Sequence, residues 1–107
     1  MSRLSYDFAR NKTVRAVHLE RRVELLNSIT FSPSEPYTIT DGGRKAHCNV
    51  NHFFLYWGNG GVALHRYSNE KGGFTTITST CTKRELYGLL TAYIDGIILG
   101  LETMRRE

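Results

Sequence analysis

The sequence predicts an α+β domain, an antiparallel meander of about four β-strands covered by a long C-terminal helix, with an N-terminal helix before the sheet. Segments rich in aromatic and β-branched residues alternate with turn signals between Tyr37 and Ser79. A helical pattern of apolar residues then fills Thr82 to Glu107. A chain of 107 residues, 40% of them hydrophobic, is long enough for one compact domain and too short for two, so we expect a single domain over residues 1–107.

The first element with a readable period is Thr13 to Ile29. Its apolar residues follow the spacing of one helix face: Ala16, Leu19, Val23 and Leu26. An alternating register that starts at Val17 leaves a β-strand as the alternative. The residues between the apolar positions are good helix formers, so the composition favours the helix.

Turn signals divide the middle of the chain. They are rich in Gly, Pro, Asn and Ser, the residues that β-turns favour: Ser32 to Pro36, Asp41 to Gly43, Gly58 to Gly61 and Ser68 to Gly73. Between the first two lies a predicted strand, Tyr37 to Thr40. The third is placed to close a hairpin, because the segments on both its sides have the composition of strands.

Asn51 to Trp57 has the strongest strand pattern. Its large apolar side chains are distributed over both faces, with Phe53, Leu55 and Trp57 on one and Phe54 and Tyr56 on the other. A strand that is apolar on both faces is expected in the middle of a sheet. Two further strands are predicted after it, Val62 to Tyr67 and Phe74 to Ser79.

The C-terminal helix has a readable start and a regular apolar stripe. Thr82 and Glu85 have the spacing of a capping box, in which the Thr hydroxyl accepts from the third helical N–H and Glu returns to the N-cap. The residues of one face are predicted to point into the core: Leu86, Leu90, Tyr93, Ile97, Leu101 and Met104.

Small residues spaced four apart wind along another side of this helix, and we call them the small-residue ridge: Gly88, Ala92, Gly96 and Gly100. Each Gly costs a helix about 1 kcal/mol relative to Ala, so the three together cost about 2 to 3 kcal/mol. Close approach of another backbone would offset that cost, either from the domain's own sheet or from a partner. Leu99 is displaced toward the ridge and favours a partner. We therefore predict an interface that includes the ridge and Leu99, and a homodimer.

The charge balance is mildly basic. With 14 Lys and Arg against 10 Asp and Glu, the formal net charge is +4 and the pI is about 9.3. The basic residues predicted to contact nucleic acid or an acidic partner are Arg10, Lys12, Arg15, Arg44, Lys45, Arg66 and Lys71. One interpretation places the strand aromatics beside these cations on a sheet face that stacks single-stranded bases. The competing interpretation buries most of those aromatics in the core.

The sequence carries no catalytic, cofactor or metal motif. His47, Cys48 and His52 have the chemistry of zinc ligands, but the chain lacks a C-x2-C pair and a His pair at helical spacing. Cys48 also lacks a neighbouring carboxylate that would orient a histidine base. We therefore predict a non-enzymatic protein without a metal or cofactor.

Neither a membrane span nor a secretory signal is expected. The most hydrophobic run, Leu86 to Leu101, covers about 16 residues, contains Asp95, and is shorter than the roughly 20 residues needed to cross a bilayer. The N-terminus, Met1 to Arg10, lacks the uninterrupted apolar stretch of a signal peptide. The expected location is the cytoplasm of the host cell.

From about Tyr37 onward, the short antiparallel meander, the Thr82-x-x-Glu85 cap and the C-terminal helix resemble small phage and mobile-element proteins, including several anti-CRISPR inhibitors. The resemblance is one of architecture and carries no family residues over to this chain. It implies an inhibitor that occupies a surface of a bacterial nucleoprotein defence complex. The alternative is a small basic nucleic-acid-binding protein, and added salt separates the two because it weakens phosphate contacts steeply.

Overall fold

A computed structural model describes residues 13–106 and confirms the α+β class. The elements follow in this order: α1 (Ala16–Ile29), β1 (Tyr37–Thr40), β2 (Lys45–Cys48), β3 (Phe53–Gly58), β4 (Gly61–Tyr67), β5 (Phe74–Thr76) and α2 (Lys83–Arg106). The helical interpretation of Thr13 to Ile29 is confirmed. A short 3-10 turn, Asp41–Gly43, joins β1 to β2. The strand β2 was not predicted from the sequence.

The strands form two antiparallel sheets instead of one meander. β1 and β2 pair with each other, and β3, β4 and β5 form a three-stranded sheet in that order. The predicted central position of the strand after Asn51 is wrong, because β3 is an edge and β4 is central. The two apolar faces of β3 have another cause: one packs on the helices, and the other carries an aromatic cluster.

A tight turn at Asn59 and Gly60 joins β3 to β4, as the sequence predicts. Both residues have positive φ, 54° and 77°, as a two-residue type I′ hairpin turn requires. Gly61 is needed for a different reason, because a Cβ there would lie 2.6 Å from the carbonyl oxygen of Cys81. This close approach brings the segment before α2 alongside β4, where Val62 and Cys81 exchange two backbone hydrogen bonds of 2.9 Å.

Both helices pack on the same face of the three-stranded sheet. The buried core draws side chains from α1, from β3 and β4 and from α2: Leu19, Val23, Leu26, Phe53, Val62, Leu64, Leu86, Leu90 and Ile94. Full burial of one such side chain stabilises a fold by about 1.5 to 3 kcal/mol. The apolar faces of α1 and α2 and the inward face of the sheet thus pack against each other in one buried layer.

Asn27 joins α1 to the edge strand. It is buried, its Nδ2 donates to the carbonyl oxygen of Phe53 at 3.1 Å, and its Oδ1 accepts from the Phe53 N–H at 2.8 Å. The side-chain amide therefore takes the place of a neighbouring strand and satisfies both backbone groups of one residue. This role was not predicted from the sequence, in which its one signal is a single Asn directly after the core residue Leu26.

α2 begins with the predicted capping box. The Glu85 N–H donates to the Thr82 Oγ1 at 3.1 Å, and the Thr82 N–H donates to the Glu85 carboxylate at 2.9 Å. The hydrogen bond from the Thr82 backbone N–H, and then the one from the Thr82 side chain, lower the pKa of the Glu85 carboxyl. Both signals that the sequence offered for the helix start, the Thr and the Glu, act as predicted.

The predicted core stripe of α2 is covered only along the first half of the helix. Leu86 and Leu90 are buried and Ile97 is half-buried, but Leu101 is 39% and Met104 71% exposed. Tyr93 is also 40% exposed, so the prediction of six core positions is wrong for half of them. The cause is length, because a helix of 24 residues measures about 36 Å and outruns the strands of three to seven residues that it covers.

By length and composition alone, α2 could also cross a membrane. Its most apolar stretch has a mean hydropathy of 1.2, and 28% of that stretch is buried within the fold. A helix that packs in a protein core meets the same criterion, and the first half of α2 is such a helix. The expectation that no membrane is involved stays a prediction.

Candidate functional site

We call the face of the three-stranded sheet that points away from the helices the outer face. It carries a cluster of aromatic rings and one imidazole. Its rings come from all three strands: Phe54, Tyr56, His65, Tyr67 and Phe74. The rings of Tyr56 and Phe74 lie nearly parallel to His65, with centroids 4.9 and 4.3 Å away. Because Tyr56 and Phe74 are 47% and 49% exposed, the outer face presents flat apolar surface to solvent.

One end of the outer face is closed by the β1–β2 hairpin. Phe54 stacks on Tyr67 at 4.3 Å, and the Tyr67 hydroxyl donates to the Tyr37 hydroxyl of β1 at 3.4 Å. Burial, and then the hydrogen bond with Tyr37, raises the pKa of Tyr67. The accessible part of the outer face is therefore the part around Tyr56 and Phe74.

His65 lies between these two exposed rings but is only 5% exposed itself. Its Nδ1 is buried and has no hydrogen-bond partner within the described part of the chain. Burial lowers the pKa of His65, because the protonated ring would lose its hydration there. The outer face therefore contains a neutral imidazole that resists protonation.

The folded protein should lose stability as the pH falls through the range in which a free histidine titrates. The unfolded chain takes up the His65 proton near pH 6.5, whereas the folded chain takes it up only at lower pH. The free energy of unfolding should therefore be highest above about pH 6.5, fall below it, and level off once the folded form is protonated as well. Denaturant titrations between about pH 5 and 8 measure this loss.

His65→Phe should remove that component of the pH dependence and keep the ring stacking. His47→Phe, a half-buried histidine in β2, is the matched control and should leave the pH dependence in place. An unchanged slope in His65→Phe would show that another group causes the acid sensitivity.

The structure does not gather the predicted basic residues on the outer face. Arg66 is the one cation within β3, β4 and β5, and it lies on the opposite face with its guanidinium carbon 5.8 Å from the Phe53 ring centre. Trp57, one of the strand aromatics, lies on the same opposite face as Phe53. The remaining cations are spread out: Arg15 before α1, Arg44 and Lys45 near the β1–β2 turn, and Lys71 in the β4–β5 loop. Arg10 and Lys12 lie outside the described residues.

The small-residue ridge lies on the side of α2 that points away from the sheet. Within residues 13–106, nothing lies within 4 Å of a Cβ built on Gly88, Gly96 or Gly100. The alternative that the ridge packs on the domain's own sheet is therefore wrong, because other residues of α2 take that side: Leu86, Tyr87, Leu90, Thr91 and Ile94. Leu99, beside the ridge, is 63% exposed.

An apolar cavity of about 280 Å³ opens next to the ridge. It lies between α2 and the strands and is lined by Leu64, Ile77, Thr78, Leu89, Leu90 and Tyr93. Leu89 and Tyr93 are 50% and 40% exposed, and each lies three residues before a ridge position, so these two side chains connect the cavity to the ridge along α2. The ridge is recognisable from the sequence but the cavity is not, because the wall opposite α2 combines Leu64 of β4 with Ile77 and Thr78, which follow β5.

The thiols and imidazoles do not form a metal centre in the part of the chain that the structure describes. No group of three or more His, Cys, Asp or Glu side chains there is placed to hold an ion. His52 instead bonds through Nδ1 to the carbonyl oxygen of Pro33 at 2.7 Å. Burial, and to a smaller degree the Glu85 carboxylate, raises the pKa of Cys81, so this thiol is a poor nucleophile.

Comparison with protein families, curated proteins and solved structures gives no match to this chain.

Proposed function

We propose that this chain is a non-enzymatic binding protein that docks through the outward side of α2. The observation that carries the proposal is the ridge itself, three helical glycines that no other described residue approaches, beside exposed Leu89 and Leu99. These glycines cost the helix about 2 to 3 kcal/mol that no contact within residues 13–106 offsets. A partner seated on the ridge would bury the flanking leucines and fill the adjoining cavity.

A second copy of the chain is the first partner that we propose for the ridge. Two helices can approach closely where both carry small residues, and one self-complementary patch is enough for a two-fold dimer. Light scattering at micromolar concentration should then give about twice the 12.2 kDa chain mass.

Gly96→Leu combined with Gly100→Leu should abolish this assembly while the monomer stays folded. Leucine fits both positions because no atom of residues 13–106 outside the adjoining helix backbone lies within 4 Å of a Cβ built on either glycine, and it raises helix propensity by roughly 1 kcal/mol per site. The thermal midpoint of the monomer should therefore rise. Glu102→Leu, an exposed position about 120° or more around the helix from either glycine, is the matched control and should leave the dimer intact. Loss of folding in the double variant, or a monomeric parent protein, would contradict the proposed dimer.

The finer proposal is that of a phage or mobile-element inhibitor, similar to anti-CRISPR proteins, that occupies a surface of a bacterial nucleoprotein defence complex. The architectural resemblance supports it, and so does the amount of exposed apolar surface on a small chain. Expression in bacterial strains with defined defence systems should restore plaque formation by a targeted phage in at least one strain. Unchanged plaque numbers in every strain, with the protein folded and present, would contradict the inhibitor proposal.

Single-stranded nucleic-acid binding is the second candidate, favoured by the parallel, half-exposed rings of Tyr56 and Phe74. Its weakness is charge, because the outer face carries no Lys or Arg within its three strands and phosphate contacts dominate nucleic-acid affinity. Binding of an oligonucleotide of about 12 nucleotides should be undetectable at physiological salt if the first candidate is correct. Submicromolar binding would favour the second candidate if the double substitution Tyr56→Ala with Phe74→Ala lowers the affinity at least tenfold. The control Phe31→Ala, at an exposed aromatic residue outside the outer face, should then leave the affinity unchanged.

A further inference from the structure

Within residues 13–106, β3 is an edge strand with backbone hydrogen-bonding groups that have no partner. Antiparallel pairs alternate between residues that bond to each other and residues whose backbone groups both point away. Leu64, opposite Leu55, accepts from the Ile77 N–H at 2.9 Å, and Val62, opposite Trp57, bonds to Cys81. The backbone groups of Leu55 and Trp57 therefore point away from β4.

Asn27 shows what these groups require. Its side chain saturates the N–H and the carbonyl oxygen of Phe53, the first residue of β3 on the same edge. Within the described part of the chain, no residue bonds to the corresponding groups of Leu55 and Trp57. Two donors and two acceptors thus remain in strand geometry beyond the amide of Asn27.

A groove runs along this edge between β3 and α1. Its volume is about 340 Å³, and its walls include Val23 and Asn27 of α1 together with Phe53, Leu55 and Trp57 of β3. The β3 sequence contains no Lys, Glu or Pro, the residues that usually prevent an exposed edge from pairing. The edge is therefore open to another extended chain and has an apolar lining to hold it.

The α1 wall of the groove is acidic. Glu20 and Glu24 lie one helical turn apart on that wall, and both are exposed. No cation within residues 13–106 forms an ion pair with either carboxylate. A chain lying in the groove would meet negative charge on the helix side and the exposed indole of Trp57 on the strand side.

We propose that this groove binds an extended peptide segment of a partner protein, which adds to β3 as a further strand. The segment carries apolar side chains toward Leu55 and Trp57 and Lys or Arg toward Glu20 and Glu24. Backbone bonds to the edge supply affinity, and the two walls select the side chains, as in other cases of strand addition. The inference goes beyond the proposed function because it uses a surface separate from the α2 ridge.

The test uses the full chain and a library of capped peptides of about seven residues, in which Lys alternates with Val, Ile, Leu, Thr or Tyr. Bound peptide should slow hydrogen exchange of the Leu55 and Trp57 amides at least tenfold, because each gains an acceptor, while the Tyr56 amide, already bonded to β4, should not change. N-methylation of alternate peptide residues should abolish binding. If no library member slows exchange at Leu55 and Trp57, or if N-methylated peptide binds equally well, the proposal is wrong.

A charge swap tests the acidic wall separately. Glu20→Lys with Glu24→Lys should weaken the Lys-containing peptide about five- to tenfold and strengthen a Glu-containing peptide by a similar factor. Glu35→Lys with Glu70→Lys changes the same number of exposed charges away from the groove and should leave the affinity unchanged. The monomeric Gly96→Leu, Gly100→Leu variant should bind peptide as the parent does, so failure at one surface is distinguishable from failure at the other.

A dimer at the β3 edge would overturn the peptide proposal. If the parent has the mass of a dimer and Trp57→Lys reduces it to the mass of a monomer, the edge pairs two copies of this chain.

Discussion

Replacing Asn27 by alanine should lower the free energy of unfolding by about 3 kcal/mol. The substitution removes two hydrogen bonds and leaves the N–H and the carbonyl oxygen of Phe53 without their partners beside a buried side chain. An unsatisfied buried polar group costs about 1 to 3 kcal/mol, and two are created at once, although water that enters the edge groove recovers part of the loss. Urea unfolding of parent and variant at one pH measures the difference.

The neighbouring Ser28→Ala substitution is the control for Asn27→Ala. Ser28 is exposed on the same turn of α1, so this change should stay within about 0.5 kcal/mol of the parent. Asn27→Asp adds a second comparison, because it keeps the acceptor for the Phe53 N–H and places a negative oxygen against the Phe53 carbonyl. If Asn27→Ala cost no more than Ser28→Ala, the amide would not be what holds α1 to the edge strand.

Truncating Leu90 to alanine should cost about 3 kcal/mol of stability, whereas the same truncation at Leu99 should cost less than about 0.5 kcal/mol. Both residues belong to α2, but Leu90 is 1% exposed and packs in the core, while Leu99 is 63% exposed beside the ridge. Removing buried methyl groups leaves a cavity, and removing solvent-exposed ones does not. Thermal or urea unfolding under conditions in which the protein is monomeric separates the two.

For dimer formation, Leu99→Ala should have the larger effect of these two truncations. Leu99→Ala removes a side chain from the proposed docking surface, so it should weaken the dimer measured by light scattering although it leaves the monomer stable. Leu90→Ala should weaken the dimer less than Leu99→Ala does, because Leu90 is 1% exposed and belongs to the proposed docking surface only as part of the cavity wall. Equal destabilisation of the monomer by both truncations would mean that α2 is covered on both sides by its own chain.

Local patterns predicted most of the elements correctly, because their causes lie within a few residues. Thr82 and Glu85 cap α2 through bonds that span three residues, and Asn59 with Gly60 turns the chain through their own backbone dihedrals. The position of β3 in its sheet was predicted wrongly for the same reason. A strand that is apolar on both faces shows that both faces are covered by apolar groups, and it does not show how many strands lie beside it.

The candidate surfaces divide in the same way. The ridge could be recognised from glycines spaced four apart, since that spacing is a property of one helix. The outer face and the groove at the β3 edge could not be recognised from the sequence, because each combines residues from separate elements. His65 of β4 lies between Tyr56 of β3 and Phe74 of β5 in the first, and Glu24 of α1 lies across from Trp57 of β3 in the second. Only the pairing register decides which aromatic side chains share a face and which cations lie away from them.

The sequence by itself determined the α+β class, the C-terminal helix with its start, and the hairpin, because hydrophobic period, capping and turn chemistry act over short distances. For Thr13 to Ile29 it favoured a helix and left a strand as the alternative. The tertiary structure decided which apolar residues are left uncovered. α2 is longer than the sheet that it packs on, so its last turns are exposed. Asn27 of α1 bonds to the β3 backbone at Phe53, and within residues 13–106 nothing bonds to the outward backbone groups of Leu55 and Trp57. Exposure of this kind depends on the relative lengths and positions of whole elements, which no single stretch of the chain encodes.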